Sequence, residues 1–129
     1  MNSSDQFTKK QYLNLETFRR NGEGLKTPVW FVQDGATFYV STMAKSGKVK
    51  RIRNCEQVNI AACKMDGKVI GTWIPATAHE ITDPEISEKA NQMLNKKYGL
   101  LKKIFDSQRA SKGSKDTFLE IKIVGQEEK

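Results

Sequence analysis

Three turn dipeptides, Asn21-Gly22, Asp34-Gly35 and Asp66-Gly67, separate runs in which apolar residues recur at every second position. Glycine supplies the positive φ that a tight turn needs, and a period of two gives a strand one buried face, so a chain patterned like this is built from hairpins. The spacing predicts strands over Tyr12–Phe18, Leu25–Gln33, Ala36–Thr42, Val58–Lys64 and Lys68–Ile81. A last strand over Thr117–Val124 turns Leu119, Ile121 and Ile123 inward. In the first strand Leu13, Leu15 and Thr17 share a face. Pro28 cannot donate a ladder hydrogen bond, which places the second strand at a sheet edge or bulges it there. Pro75 argues for a bulge or bend in the fifth.

Two helices interrupt the hairpins. A short one runs from Lys48 to about Glu56. A longer one opens with Asp83 as N-cap and Pro84 in its first turn, and carries Ile86, Ala90, Met93, Leu94, Leu101, Ile104 and Phe105 at helical spacing. Gly99 breaks or bends it, and Ser111–Lys115 reads as a polar loop. Residues 1–8 read as a polar lead-in. The sum is a mainly β chain, about six antiparallel strands in a small barrel with flanking helices. Its 129 residues suit a single domain with a sizeable core.

Composition removes several function classes. Hydrophobic residues make up 37% and charged residues 29%, a globular balance. No apolar run approaches the ~20 residues that cross a bilayer, and Met1–Lys10 has no apolar leader, so the expectation is a cytoplasmic protein without a membrane partner. Cys55 and Cys63, with His79 as the single histidine, form neither a disulfide framework nor a metal set. Both cysteines read as small buried hydrophobes, and His79, in the strand-like ATAHEIT, as a structural residue. No Ser-His-Asp or Cys-His arrangement is present.

The net charge of +7 calls for an anionic partner: nucleic acid, acidic lipid or a phosphorylated small molecule. Placement narrows the choice. In TMAKSGKVKRIRNC, from Thr42 to Cys55, a turn of about 100° per residue puts Val49, Ile52 and Cys55 in one narrow stripe that can pack on the barrel. Lys48 and Arg51 flank that stripe, while Lys50 and Arg53 point to water. Gly47 and Lys48 stand at the helix start, where free N–H groups and the positive dipole end favour an anion, with the Thr42 and Ser46 hydroxyls alongside. A solvated basic face competes with this phosphate reading. A nucleic-acid interface is the weaker alternative, because the aromatics lie in alternating strands rather than on an exposed stacking platform.

The stretch TPVWFVQDGATFYVSTMAKSGKVKRIRNCEQVNIAACKMDGKVIGTWIPATAHEI resembles the pyridoxamine 5'-phosphate oxidase-like flavoproteins, and within them the small oxidoreductases that use FMN or coenzyme F420. The likeness covers about residues 10–82 and rests on TPVWF, the Ser-Thr pair, GKVKRIRN and VNIAAC in that order. It implies a split β-barrel of the FMN-binding type and a homodimer with two cofactors at the subunit interface. It also implies hydride transfer to an unidentified small molecule, or cofactor binding without turnover. By the same resemblance, Lys26 or Thr27, Ser41, Thr42 and Lys48 hold the cofactor phosphate, and the ring lies along Pro28, Val29 and Trp30. The partner subunit contributes residues near Gly71, Thr72 and Trp73. Gly47 stands where pyridoxamine phosphate oxidases carry an arginine, so by the resemblance one phosphate contact is either missing or replaced by Arg51. The chain ends at GQEEK without their C-terminal substrate-binding segment, which argues against vitamin B6 oxidation.

Overall fold

In the computed structural model, which describes residues 3–99 and 116–124, the hairpin pattern curls into one antiparallel sheet. Its strands are β1 (Tyr12–Phe18), β2 (Gly24–Trp30), β3 (Val32–Asp34), β4 (Thr37–Met43), β5 (Gln57–Cys63), β6 (Ile74–Glu80) and β7 (Asp116–Ile123). They lie in the order β2-β1-β5-β6-β7-β4-β3. A helix α1 (Gly47–Asn54) follows β4, and a helix α2 (Pro84–Tyr98) follows β6. Gly35 and Gly67 close their Asp-Gly turns at φ values of 63° and 93°.

Alternation builds the interior. Leu13 pairs with Val29 on one side and Ala62 on the other, and Leu15 with Ile60. Across the sheet Val40 pairs with Leu119, and Phe38 with Ile121, which in turn meets Ala78. These side chains form one buried cluster, to which α1 contributes Val49 and Ile52. Each fully buried residue of this size contributes roughly 1.5–3 kcal/mol. A second cluster lies outside the barrel, where Ala90, Leu94 and Tyr98 of α2 cover Val32 and Tyr39.

The structure revises several sequence expectations. The described residues form seven strands rather than about six, because Leu25–Gln33 is divided: β2 pairs with β1, β3 with β4, and Phe31 between them belongs to neither ladder. β2 does lie at a sheet edge, as Pro28 required. The fifth predicted strand begins only at Ile74. The N–H groups of Ile70 and Gly71 both reach the Ala62 carbonyl, at 2.9 and 3.3 Å, and this bulge interrupts the pairing between the Cys63–Val69 bridge and the Ile60–Ile74 pair. Residues 64–73 instead fold over the outer face, where Asn14 Nδ2 donates to the Gly67 carbonyl (2.9 Å). Pro75 is therefore the second residue of β6, not a break within a long strand.

The lead-in is structured too. Ser3–Phe7 form a 3-10 turn, and Phe7 is buried edge-on against Phe31 and Phe38, with ring centroids 5.8 and 4.9 Å away. Gln6 Oε1 accepts from the Ala62 and Thr72 amides, at 3.0 and 3.1 Å. Cys63 is buried as expected, but Cys55 is only half-buried, because it is the C-cap of α1 and its backbone is already extended. α2 starts as predicted, with the Asp83 side chain accepting from the Glu85 amide. Leu101, Ile104, Phe105 and the Ser111–Lys115 loop lie outside the described residues. Among the described residues no helix is long and apolar enough to cross a membrane, and no cluster of metal-ligating side chains occurs.

Candidate functional site

α1 sits across one end of the barrel. Its cap is Ser46, whose hydroxyl accepts from the Val49 amide (3.4 Å) and so takes one of the free donors of the first turn. Val49 and Ile52 plug the barrel end, and this fixes the orientation of the charged positions between them. Lys48 and Arg51 are half-buried while Lys50 and Arg53 are exposed, the division the helical wheel predicts.

Three cations of α1 meet a polar rim supplied by separate strands. Lys48 Nζ donates to Thr42 Oγ1 of β4 (3.1 Å), and Arg51 Nε donates to Thr17 Oγ1 of β1 (2.7 Å). Arg53 does not merely face water: its Nε and Nη2 donate to both oxygens of Glu80 on β6, at 2.6 and 3.1 Å. Thr117 of β7 donates its hydroxyl to the same carboxylate (3.0 Å). The Arg53 hydrogen bonds, helped by that of Thr117, hold the Glu80 carboxyl below the usual glutamate range despite partial burial.

Gly47 decides where Arg51 can lie. A Cβ at position 47 would come 2.8 Å from Arg51 Nη1, so the guanidinium occupies the space that a side chain there would fill. Lys48 and Arg51 thus reach the barrel rim from adjacent turns, with Arg51 folded back against the start of the helix. Among the described residues Arg51 meets a neutral hydroxyl and no carboxylate. Lys48, Arg51, the N–H groups of the helix start and the Thr42 and Thr17 hydroxyls are the groups of this cradle that could hold a phosphate.

Other residues singled out in the sequence are placed apart from this cradle. Ser41 and Thr42 are consecutive in β4, so their side chains leave on opposite faces. Thr42 pairs with Thr117 at the rim, whereas Ser41 pairs with Phe118 on the α2 side, its Oγ buried without a partner. Lys26 and Thr27 divide in the same way. Thr27 is opposite Leu15 on the barrel face, and Lys26 is opposite Glu16 on the outer face, with Nζ 5.3 Å from the Trp73 ring centroid. Trp73 lies in the segment before β6 rather than in a strand. Val29 is buried in the barrel, Pro28 is opposite Asn14, and Trp30 stacks on Tyr98 of α2 with centroids 4.4 Å apart.

Sequence reasoning missed Thr17, Glu80 and Tyr98. Thr17 and Glu80 were legible only as strand positions, because their partners are 34 and 27 residues distant. His79 is half-exposed on β6, with Nε2 3.2 Å from Glu120 Oε1, in keeping with a structural role.

A curled antiparallel sheet with α1 across one end and α2 along its side defines a mainly β, split-barrel protein. The chain belongs to the pyridoxamine 5'-phosphate oxidase family, whose model matches residues 4–126. Among solved structures it is similar to the heme storage protein HutZ from Vibrio cholerae, at 14% identity and a TM-score of 0.73, covering 95% of this chain and 88% of that one. It is also similar to an F420 reductase, at 15% identity and a TM-score of 0.61 over 95% and 93% of the two chains. A FAD-binding protein from Mesorhizobium loti gives 16% identity and a TM-score of 0.64 over 94% and 84%. No curated protein matches the sequence significantly.

Proposed function

We propose that this chain binds FMN or coenzyme F420 and acts as an oxidoreductase that transfers a hydride to or from a small molecule. The carrying observation is the cradle at the start of α1, where Arg51 fills the space left by Gly47 beside Lys48. Lys48, Arg51 and Thr42 hold the cofactor phosphate by charge-assisted hydrogen bonds, and the helix start adds N–H donors. Thr27 on the barrel face of β2 is better placed than Lys26 to join them. The edge of β2, from Pro28 to Trp30, lines the ring. The bound tricycle would supply the hydride chemistry, and the protein supplies binding, orientation and electrostatics. As in the resemblance, the assembly is a homodimer in which Trp73 comes from the partner subunit.

The F420 reductase and the FAD-binding protein among the structural neighbours support a tricyclic cofactor. The heme storage neighbour favours a second reading, carriage of a cofactor without turnover. Mass spectrometry of the small molecule released from purified native protein, with its visible spectrum, tests the first reading, together with titration of FMN and F420 into cofactor-free protein. Stoichiometric binding with reduction by a donor supports the oxidoreductase. Binding without reduction or reoxidation supports the carrier, and binding of neither compound defeats both.

A further inference from the structure

Phe31 poses a backbone problem. It lies between β2 and β3 and belongs to neither ladder, while its side chain is fully buried among Phe7 and Phe38. A buried N–H and C=O outside a ladder need partners elsewhere. Both come from the last turn of α2. The Tyr98 hydroxyl accepts from the Phe31 N–H (2.9 Å), and Lys97 Nζ donates to the Phe31 carbonyl (2.8 Å). Tyr98 Oη also lies 2.8 Å from that carbonyl and 2.6 Å from the Gln11 carbonyl. A phenol has one proton to give. Because Lys97 already serves Phe31, the shorter contact to Gln11 takes it.

The phenol therefore ties three points together: the segment before β1, the break after β2, and α2. Burial pushes its pKa up, so it stays a donor at physiological pH. Lys97 lies over the Phe31 ring, 3.8 Å from the centroid, and loss of hydration there lowers its pKa to about 8. The Trp30 ring stacks on Tyr98 with an interplanar angle of 9°. The end of β2 is thus clamped through its backbone at Phe31 and through its side chain at Trp30.

We propose that Tyr98, assisted by Lys97, is a positioning residue: by fixing the backbone at Phe31 it sets the path of the Pro28–Trp30 edge against which the cofactor ring lies. This rests on the flavin or deazaflavin reading above. Phosphate anchoring belongs to the opposite end of the site and does not depend on the clamp. Misplacing a ring-binding edge by a fraction of an ångström is costly because the contacts are geometric.

Tyr98→Phe keeps the aromatic stack and removes the hydroxyl, so it separates the clamp from the packing. Two measurements apply. In cofactor-free protein, amide exchange at Phe31 accelerates about tenfold or more relative to its neighbours in β1. FMN and F420 titrations then show affinity lowered about tenfold for the cofactor that binds the parent protein, with a shifted visible absorption band. A shifted band reports the ring's surroundings, which a loss of stability alone would not change. If Tyr98→Phe binds that cofactor with parental affinity and spectrum, the positioning role is wrong and the cofactor reading stands. If the parent protein binds neither compound, the cofactor reading fails and the inference with it. Should Tyr98→Phe not fold, Lys97→Met keeps the stem over Phe31 and removes the donor to its carbonyl; it is read by the cofactor titration and the absorption band, and parental values for both overturn the clamp.

Discussion

Gly47 and Arg51 show how one absent side chain can define a site. Arg51 folds back because nothing at position 47 stands in its way, and the methyl of Gly47→Ala would come 2.8 Å from Nη1. The guanidinium is the flexible partner, so it moves and the helix does not. Alanine is also the better helix former, by up to about 1 kcal/mol in a helix interior. Gly47→Ala is therefore expected to leave the melting temperature unchanged or slightly raised while weakening FMN or F420 binding. Lys48→Ala removes a charge-assisted bond of about 1.5–3 kcal/mol and is expected to weaken binding by roughly 10- to 100-fold without unfolding the protein. Calorimetric titration with matched thermal melts checks both. A Lys48→Ala protein that binds as tightly as the parent removes the anchor. At this scale the sequence was informative, because helical periodicity separates positions three and four residues apart. The resemblance puts Ser41 and Thr42 at one phosphate, whereas neighbouring residues of a strand face opposite ways.

α1 is held by more than its apolar stripe. Lys48, Arg51 and Arg53 each dock on a rim residue from a different strand, so the helix is fixed in rotation as well as depth. The Arg53–Glu80 pair makes this orientation pH-dependent. A carboxyl with a lowered folded pKa adds stability that is fully present above the unfolded glutamate value of about 4.3. That contribution fades as pH falls through the lower folded value. Glu80→Gln should thus lower the melting temperature near neutral pH, and the gap to the parent should close as pH drops below the glutamate range. Urea melts across pH 3 to 7 test this, and a gap of constant size would mean the ion pair is not its source. The start of α2 was legible through Asp83 and Pro84, which act within one turn. The α1 rim was not, because helix periodicity reports which side faces the barrel and leaves the strand residues waiting there unnamed. Phe7 was misread for a related reason: a single aromatic in a polar segment carries no period, yet it fills the barrel among Phe31 and Phe38.

At the scale of the molecule, β2 and β3 are the two ends of one curled sheet and are joined by Phe31 alone, so the barrel is split where its edges meet. Hairpin order and the edge position of β2 were readable from turns and from Pro28. The bulge that interrupts pairing after Val69 was not, since two amides sharing the Ala62 carbonyl leave no compositional trace. That bulge presents Trp73 beside Lys26 on the outer face, while Lys48 serves the rim beneath α1. If one cofactor uses both, as the proposed homodimer requires, Trp73 and Lys48 come from different subunits. Light scattering should then give twice the 14.6 kDa chain mass. Subunit mixing tests the sharing itself. Lys48→Ala and Trp73→Ala homodimers each lack one contact at both sites, and each is expected to bind weakly. In a mixed two-fold dimer one site carries both changes and the other carries neither. Random exchange of equal amounts makes half the dimers mixed, so tight binding should return at about one site in four. Sites assembled within a single chain would recover none, because every chain in the mixture carries a substitution.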